Sequence, residues 1–366
     1  MKKIRIEVSS LASKNLTGVA NYTKMLCNNL ANEEETLVYG SYFNLLRRQV
    51  EPDISKNIIK EENTSFPLRL YAKFNSLGFV WPFDIFKKHV DLTIHPNFAL
   101  WPTIKSKKTA TVVHDLTYMY YPELVEEKNL SHLQRVVPKA VKKSDFIITV
   151  SEAVRDEIIK EFNIDKNKCI VTTIPPAQEF YNRSDINVHK IYNIPTKKYL
   201  LFIGSLEPRK NLYNLVKAYR LLPEDLRAEY SLIIGGGKGW KFEETQSLID
   251  KSIEKEHIYQ IGYVDQSHLP ALYQNASLFT MLSKYEGFGM PVLESLASKC
   301  PVVASNIPVM RESGGDAALY ADPNNPDDIA EKIIQGLDEG YKDSITKKHL
   351  KRFSWQDNVK SIIENI

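Results

Sequence analysis

Short apolar runs alternate along this chain with longer stretches whose apolar positions recur every three or four residues. IRIEV at 4–8 reads as a charged strand, and GVANYTKMLCNNLAN at 18–32 carries helical spacing after a loop. TATVVHDLT at 109–117, DFIITVS at 145–151 and CIVTTIP at 169–175 read as buried strands, with a helix over 151–162 between the last two. A more polar stretch, 177–198, has few periodic positions and is the expected linker. The alternation then restarts, with strands over 199–205, 230–237, 258–264, 276–282 and 301–305 and a clear helix at 211–222. Alternating strands and helices imply an α/β fold of parallel sheets with helices on both faces. Two series imply two such domains, 1–183 and 184–350, facing each other across a cleft. Ligands of such sheets bind outside the carboxyl ends of the strands.

The length agrees, because 366 residues exceed what one hydrophobic core usually organises. The amino-terminal MKKIRIEVSS begins with basic residues but continues as a charged strand, so it does not read as a signal peptide. No run approaches the ~18 apolar residues of a membrane span. Cys27, Cys169 and Cys300 are scattered without metal spacing, which predicts buried thiols and a reducing, cytoplasmic setting. A net charge of only +3 argues against nucleic acid as a partner.

Candidate chemistry lies just beyond the predicted strands. SKYEGFGMPVLESLAS at 283–298 holds Glu286 and Glu294 on either side of a glycine turn. Two glycines make one continuous helix improbable, so the segment reads strand, turn, helix, with Pro291 at the first helical position. Such a turn offers backbone N–H groups at the positive end of a helix, where phosphate binds. An anionic ligand with hydroxyls at both ends fits, and so does a plain turn with two solvated glutamates. In GSLEPRKN, Glu207, Arg209 and Lys210 follow a buried strand; a guanidinium fork and an ammonium there would neutralise a diphosphate, and a solvated basic turn has the same sequence. IIGGGKGW offers three glycines after another strand, without the order of a dinucleotide fingerprint, as a loop for close approach of a ligand. The backbone around Tyr263 and Val264 sits at a strand end where a nucleobase would lie, or forms the turn into a helix at Leu269. In the first half, Gly18 opens a helix with its amide available to phosphate, and His114 and Asp115 end a strand, as catalytic groups or as a structural hydrogen-bonded pair. No hydrolase elbow, Walker loop, zinc-protease motif or metal-holding Asp-x-Asp is present in a plausible position, so charge neutralisation falls to Arg209, Lys210 and helix amides without metal.

EGFGMPVLE resembles the E-x7-E motif of retaining family 4 glycosyltransferases. GSLEPRKN, VVHDLTYMYYPE, VSEAVRDEI, GGGKGW, GYV and the closing FSW resemble the bacterial mannosyltransferase-B-like branch of that family, over almost the whole chain. The resemblance implies a GT-B fold of two Rossmann-like domains, with a last helix at about 351–366 crossing back to the first domain. It implies that Arg209 and Lys210 bind the diphosphate, with the Gly18 amide packed against it. Glu286, Gly287 and the amides of Phe288 and Gly289 would hold the transferred sugar, Glu294 the ribose, and His114 would lie beside sugar and acceptor. Relatives commonly show two glycines in the first loop, where this chain has Asn15-Leu16-Thr17 before a single Gly18. The implied reaction moves a hexose, first of all mannose from GDP-mannose, to a saccharide or lipid-linked acceptor, with no cofactor.

Rival readings are a catalytically silent subunit for a partner glycosyltransferase, a nicotinamide oxidoreductase, and a sugar-nucleotide epimerase or hydrolase. The intact charged set opposes the first and the missing glycine fingerprint the second. In the first domain, Phe66, Leu70, Phe74, Leu77, Trp81, Phe83 and Phe86 interleave with Arg69, Lys73, Lys87 and Lys88, and Lys105, Lys107 and Lys108 follow. Part of that apolar set belongs to the core. The remainder reads either as a helix packed on its own sheet with its basic residues solvated, or as a surface lying on an anionic membrane, which predicts peripheral binding that presents a lipid-linked glycan near His114.

Overall fold

The computed structural model describes residues 1–12, 18–44, 50–63, 70, 71, 74, 81–195, 198–237, 239–250 and 257–366. The chain divides into two compact units, one of residues 1–120, 127–174 and 354–366, the other of 121–126 and 175–353. Each is built on a wholly parallel sheet.

The first unit contains β1 (Lys2–Glu7), β2 (Thr36–Phe43), β3 (Ile59–Asn63), β4 (Val90–His95), β5 (Ser106–Val113), β6 (Phe146–Thr149) and β7 (Cys169–Val171), in the order β3-β2-β1-β4-β5-β6-β7. Its long helices are α1 (Gly18–Ala31), α2 (Glu127–Lys143) and α3 (Glu152–Phe162). Ser151 starts α3 by accepting from the Val154 amide, and Asn163 ends it in the left-handed conformation. Such a cap is worth about 1 kcal/mol. The charge in β1 has a structural cause. Arg5 is fully buried, donates from Nε to Glu61 at 2.9 Å and from Nη2 to the Lys88 carbonyl at 2.6 Å, and lies 3.5 Å from the buried Asp84. Removing one member of such a group leaves an uncompensated buried charge. Asp84 also accepts the Ile104 and Lys105 amides, tying the 84–88 turn to the start of β5.

Helix α9 (Trp355–Glu364) belongs to this first unit, as the crossing-back helix of the expected architecture. Asn358 Nδ2 donates to the Thr173 carbonyl at 2.6 Å, Lys108 Nζ to the Asn365 carbonyl at 2.8 Å, and Trp355 packs on Tyr22.

The second unit holds β8 (Lys198–Ile203), β9 (Tyr230–Gly235), β10 (Ile258–Gly262), β11 (Leu278–Met281), β12 (Val302–Ser305) and β13 (Leu319–Ala321), in the order β10-β9-β8-β11-β12-β13. Around it lie α4 (Leu212–Leu221), α5 (Leu269–Asn275), α6 (Met290–Ala297), α7 (Pro308–Gly314) and α8 (Pro326–Glu339). Leu200, Phe202, Leu215, Tyr219, Leu232, Ile234, Leu278 and Ile333 form its core. Each such side chain contributes about 2 kcal/mol of burial. The stretch 177–198, expected as a linker, is instead docked on this unit. Phe180 is buried against Tyr273, its carbonyl accepts from Ser298 Oγ, and Gln274 bridges Asn182 and Ser184.

All three cysteines are buried and free, as predicted. Among the described residues, no helix is long and apolar enough to cross a membrane.

Candidate active site

In both sheets the strand order reverses once, between β1 and β4 in the first unit and between β8 and β11 in the second. Loops leaving the two central strands at such a point diverge to opposite sides and leave a crevice for ligand. In the second unit those loops carry the predicted charged residues. The loop after β8 runs through Glu207 into a tight turn at Pro208–Lys210. Asn211 follows in the left-handed conformation, which asparagine tolerates better than most residues. It is buried, and its Nδ2 donates to the carbonyls of Leu282, just after β11, at 2.9 Å and of Pro323 at 2.6 Å. The Lys284 amide donates to the Arg209 carbonyl at 2.9 Å, and Arg209 Nη1 to the Tyr285 carbonyl at 3.1 Å. The two loops are therefore one hydrogen-bonded body. Asn211 was missed by motif reading; an asparagine between a basic pair and a helix was the available signal.

Four charged groups meet there. Arg209 Nη1 lies 2.7 Å from Glu286 Oε2, Lys210 Nζ 2.5 Å from Glu286 Oε1, and Arg209 Nη2 2.8 Å from Glu207 Oε1. Glu286 is 8% exposed. Burial alone would push its carboxyl up, but Arg209 and Lys210 outweigh that and hold it at about 2. Glu286 is therefore ionised across the neutral range, and the stability this lends is present above the ordinary carboxylate range and lost only as pH falls toward 2. Both cations are held in place by carboxylates rather than left to solvent, which fixes their rotamers in advance.

Beyond Glu286 the chain turns through Gly287, Phe288 and Gly289 into α6. Gly289 has φ +91°, and a Cβ there would stand 3.0 Å from Ser313 Oγ and 3.1 Å from Met310 Sδ, both on α7. Glycine is needed at this position for both reasons. The Phe288 ring is buried against Phe353, so only its main chain is left for a ligand. Pro291 occupies the second helical position rather than the first.

Glu294 lies one turn into α6 and accepts from Tyr273 Oη at 3.2 Å. Burial pushes its carboxyl up to about 7, with Glu179 adding to the shift. The two glutamates thus differ in kind, one a fixed charge and the other poised to titrate. A carboxyl with a raised folded-state pKa binds its proton more tightly folded than unfolded, so stability is full below the ordinary carboxylate range and falls as pH rises toward 7. Glu294→Gln is expected to remove about 2 kcal/mol of that fall, a value discounted for the carboxylate's partial exposure. Chemical denaturation at a series of pH values reads it, and an unchanged pH slope contradicts the assignment.

Gly236 and Gly239 are required by neighbouring backbone, Gly235 by the side chains of Ile203 and Val264, whereas Gly237 has open space up to the Tyr263 ring. A Cβ on Gly236 would stand 1.8 Å from the Gly204 carbonyl oxygen, and one on Gly239 2.3 Å from that of Leu206. The Gly204 amide donates to the Gly235 carbonyl, Leu206 to Gly237, and Gly236 to Gly262. Loops after β8, β9 and β10 are thus joined to one another through their main chains. Val264 is buried over Gly235, whereas Tyr263 is 73% exposed.

In the first unit, Gly18 is the first residue of α1, exposed, with open space around its Cα. Asn15, Leu16 and Thr17 lie outside the described residues. His114 follows β5 and is buried, its ring edge-on to Tyr22 and Phe98. Its Nε2 donates to the Pro96 carbonyl at 2.7 Å, and burial lowers its pKa, so it is neutral at pH 7 with the proton on Nε2. Asp115 does not pair with it and instead accepts the Thr117 amide.

The basic set of the first unit is placed differently from the expectation. Lys105, Lys107 and Lys108 stand at the amino end of β5, about 25 Å from the His114 end at 3.3 Å per residue. Lys107 pairs with Asp91 at 2.8 Å, Lys108 bonds to the Asn365 carbonyl, and Lys87 donates to the Glu62 carbonyl. Phe83 is core, packed with Phe43, Tyr71 and Trp101, while Phe86 and Trp81 are exposed. Phe66, Leu77, Arg69 and Lys73 lie outside the described residues.

Two Rossmann-like units, each on a parallel sheet whose strand order reverses once, define the GT-B fold class. Family models agree: "Glycosyltransferase Family 4" matches residues 16–177 and "Glycosyl transferases group 1" residues 185–354. The chain belongs to the family 4, group 1 glycosyltransferases. It is 31% identical to O-antigen chain mannosyltransferase B of Escherichia coli, over 93% of each chain. It is 29% identical to O-antigen chain mannosyltransferase RfbU of Salmonella typhimurium, over 72% of this chain and 70% of that one. Among solved structures, a sucrose-phosphate synthase from Thermosynechococcus elongatus superposes with TM-score 0.72 at 15% identity, covering 100% of this chain and 98% of that one. HepE from Anabaena, in complex with UDP and glucose, superposes with TM-score 0.68 at 15% identity, covering 100% and 99%.

Proposed function

We propose that this glycosyltransferase moves mannose from GDP-mannose to a lipid-linked saccharide in surface polysaccharide assembly, with retention of anomeric configuration and without a metal. The observation that carries the reading is the ionised Glu286 held between Arg209 and Lys210 at the β8/β11 reversal. The names of the O-antigen mannosyltransferases support the sugar and the pathway class.

Cleaving the bond between the anomeric carbon and phosphate builds negative charge on the departing diphosphate, and fixed cations stabilise it where it develops. Arg209 offers a two-pronged contact and Lys210 a point charge. In this reading the bound diphosphate takes over the cations that Glu207 and Glu286 hold in the free protein. Glu286 is then released to accept sugar hydroxyls alongside the Phe288 and Gly289 amides and Gly287. Glu294 accepts from the ribose, the base lies by Tyr263 and Val264, and Gly18 contributes an amide to the diphosphate. His114 sits on the acceptor side as a neutral imidazole. The acceptor hydroxyl attacks the face from which the diphosphate leaves, and a phosphate oxygen takes its proton.

The test is product analysis with GDP-mannose and a polyprenyl-diphosphate-linked glycan. Transfer of one hexose with the donor's anomeric configuration, at a rate changed less than about twofold by EDTA, is the expected result. An inverted product, donor hydrolysis alone, or activity lost to EDTA and restored by manganese contradicts it.

A further inference from the structure

Helix α2 carries Lys128, His132, Arg135, Lys139, Lys142 and Lys143, all exposed. At about 100° per residue these six side chains project within an arc of roughly 100°. The opposite arc holds Val137, Ala140 and Val141, buried on the sheet, and Leu130 and Leu133, half-buried. Charged neighbours are paired: Arg155 with Glu152 and Asp156, Lys160 with Glu161, Lys107 with Asp91. Among the described residues, no carboxylate pairs with Lys128, Arg135, Lys139, Lys142 or Lys143. Lys168 Nζ donates to the Val141 and Lys142 carbonyls at 2.8 and 3.2 Å, so the helix's own negative end is already compensated without them.

Like charges three and four residues apart weaken a helix, so this stripe costs folding stability and returns none of it through ion pairs. Its five permanent cations exceed the net charge of the whole chain, +3, which concentrates the positive field on one face. The helix is about 25 Å long, with Pro138 in its interior. Among its six projecting side chains there is no Phe, Tyr or Trp, and His132 supplies the one ring. Met119 and Tyr120 are exposed on the short helix Thr117–Tyr120, which packs against α2.

We propose that the basic face of α2 lies flat on an anionic phospholipid bilayer, docking the first unit on the membrane. The inference rests on the lipid-linked acceptor of the proposed function, which requires the enzyme to work at a lipid surface. It moves the docking surface from Lys87, Lys88, Lys105, Lys107 and Lys108, several of which are engaged within the protein, to a helix whose cations are not.

The test is cosedimentation with vesicles of phosphatidylcholine, with and without phosphatidylglycerol, at about 0.05 M and about 0.5 M salt. Wild type is expected to bind the anionic vesicles at low salt and release at high salt. Each Lys or Arg near such a surface is worth about fivefold in binding, so the triple variant R135Q/K139Q/K142Q should bind at least about 30-fold more weakly. Glutamine keeps helix propensity, and an unchanged melting temperature verifies the fold. The set K87Q/K88Q/K105Q/K107Q/K108Q should retain binding within about threefold. Equal binding by wild type and the triple variant, loss confined to the second set, or no vesicle binding beside tight binding to single-stranded RNA overturns the proposal. The thermal shift produced by GDP reports the donor site separately, so failure of membrane docking and failure of the transferase reading give different results.

Discussion

Arg209→Ala is expected to lower kcat/KM for hexose transfer about a thousandfold, or about 4 kcal/mol of transition-state stabilisation, with the melting temperature reduced by only a few degrees. The guanidinium is the group that can contact two phosphate oxygens at once, and Lys210 cannot substitute for that geometry. Structurally the loss is limited. Glu286 keeps Lys210 as its partner, Asn211 still ties the two loops, and Arg209 contributes no side chain to the hydrophobic core. Arg209→Lys should fall between wild type and alanine, because it keeps the charge and loses the fork. Steady-state kinetics with a thermal melt of each variant separate the two effects. Retention of more than several per cent of wild-type turnover by Arg209→Ala at saturating donor would remove this residue from the site.

Gly236→Ala is expected to destabilise the second unit by about 3 kcal/mol or more, through forced overpacking of backbone on backbone. The added Cβ would lie 1.8 Å from the Gly204 carbonyl oxygen, and neither main chain has freedom to move. Gly204 donates to Gly235 and Gly236 to Gly262, so any shift breaks a hydrogen bond that joins these loops. Gly237→Ala is the control, because its Cβ would meet only the Tyr263 ring at 3.9 Å. Denaturant melts of the two variants should differ by most of the predicted amount. Similar midpoints would show that the loop stack is looser than its geometry indicates.

Strands β1 and β5 through β12 were legible because each is an apolar run ended by turn residues. β2, TLVYGSYF, is a comparable apolar run that was passed over, and the remaining three were hidden for physical reasons. β3 reads IKEEN, and its Glu61 is present to pair with the buried Arg5 rather than to face solvent. β4 alternates Leu92 and Ile94 with Asp91, Thr93 and His95, whose polarity belongs to the same face of the sheet as Arg5. β13 is three residues long, too short for any period. Helix α2 contains Pro138, which removes a backbone donor and breaks the pattern a reader follows. The charged residues of the site were found because they follow strands. The direction of their pairing was not, since only the folded loops bring Glu286 to both cations. The glycines of 235–239 were found, but the packing role of Gly236 and Gly239 was not, because a glycine required by a neighbouring backbone and one required by a ligand look identical in sequence.

The central claim is that the Arg209, Lys210 and Glu286 cluster is a nucleoside diphosphate site. Calorimetric titration with GDP, UDP, ADP and dTDP, in EDTA, tests it most directly. The account predicts that one of these, GDP first, binds wild type at one site per chain and binds Arg209→Ala at least about 100-fold more weakly. Binding of equal strength to the two proteins, or no binding of any diphosphate to wild type, would contradict it.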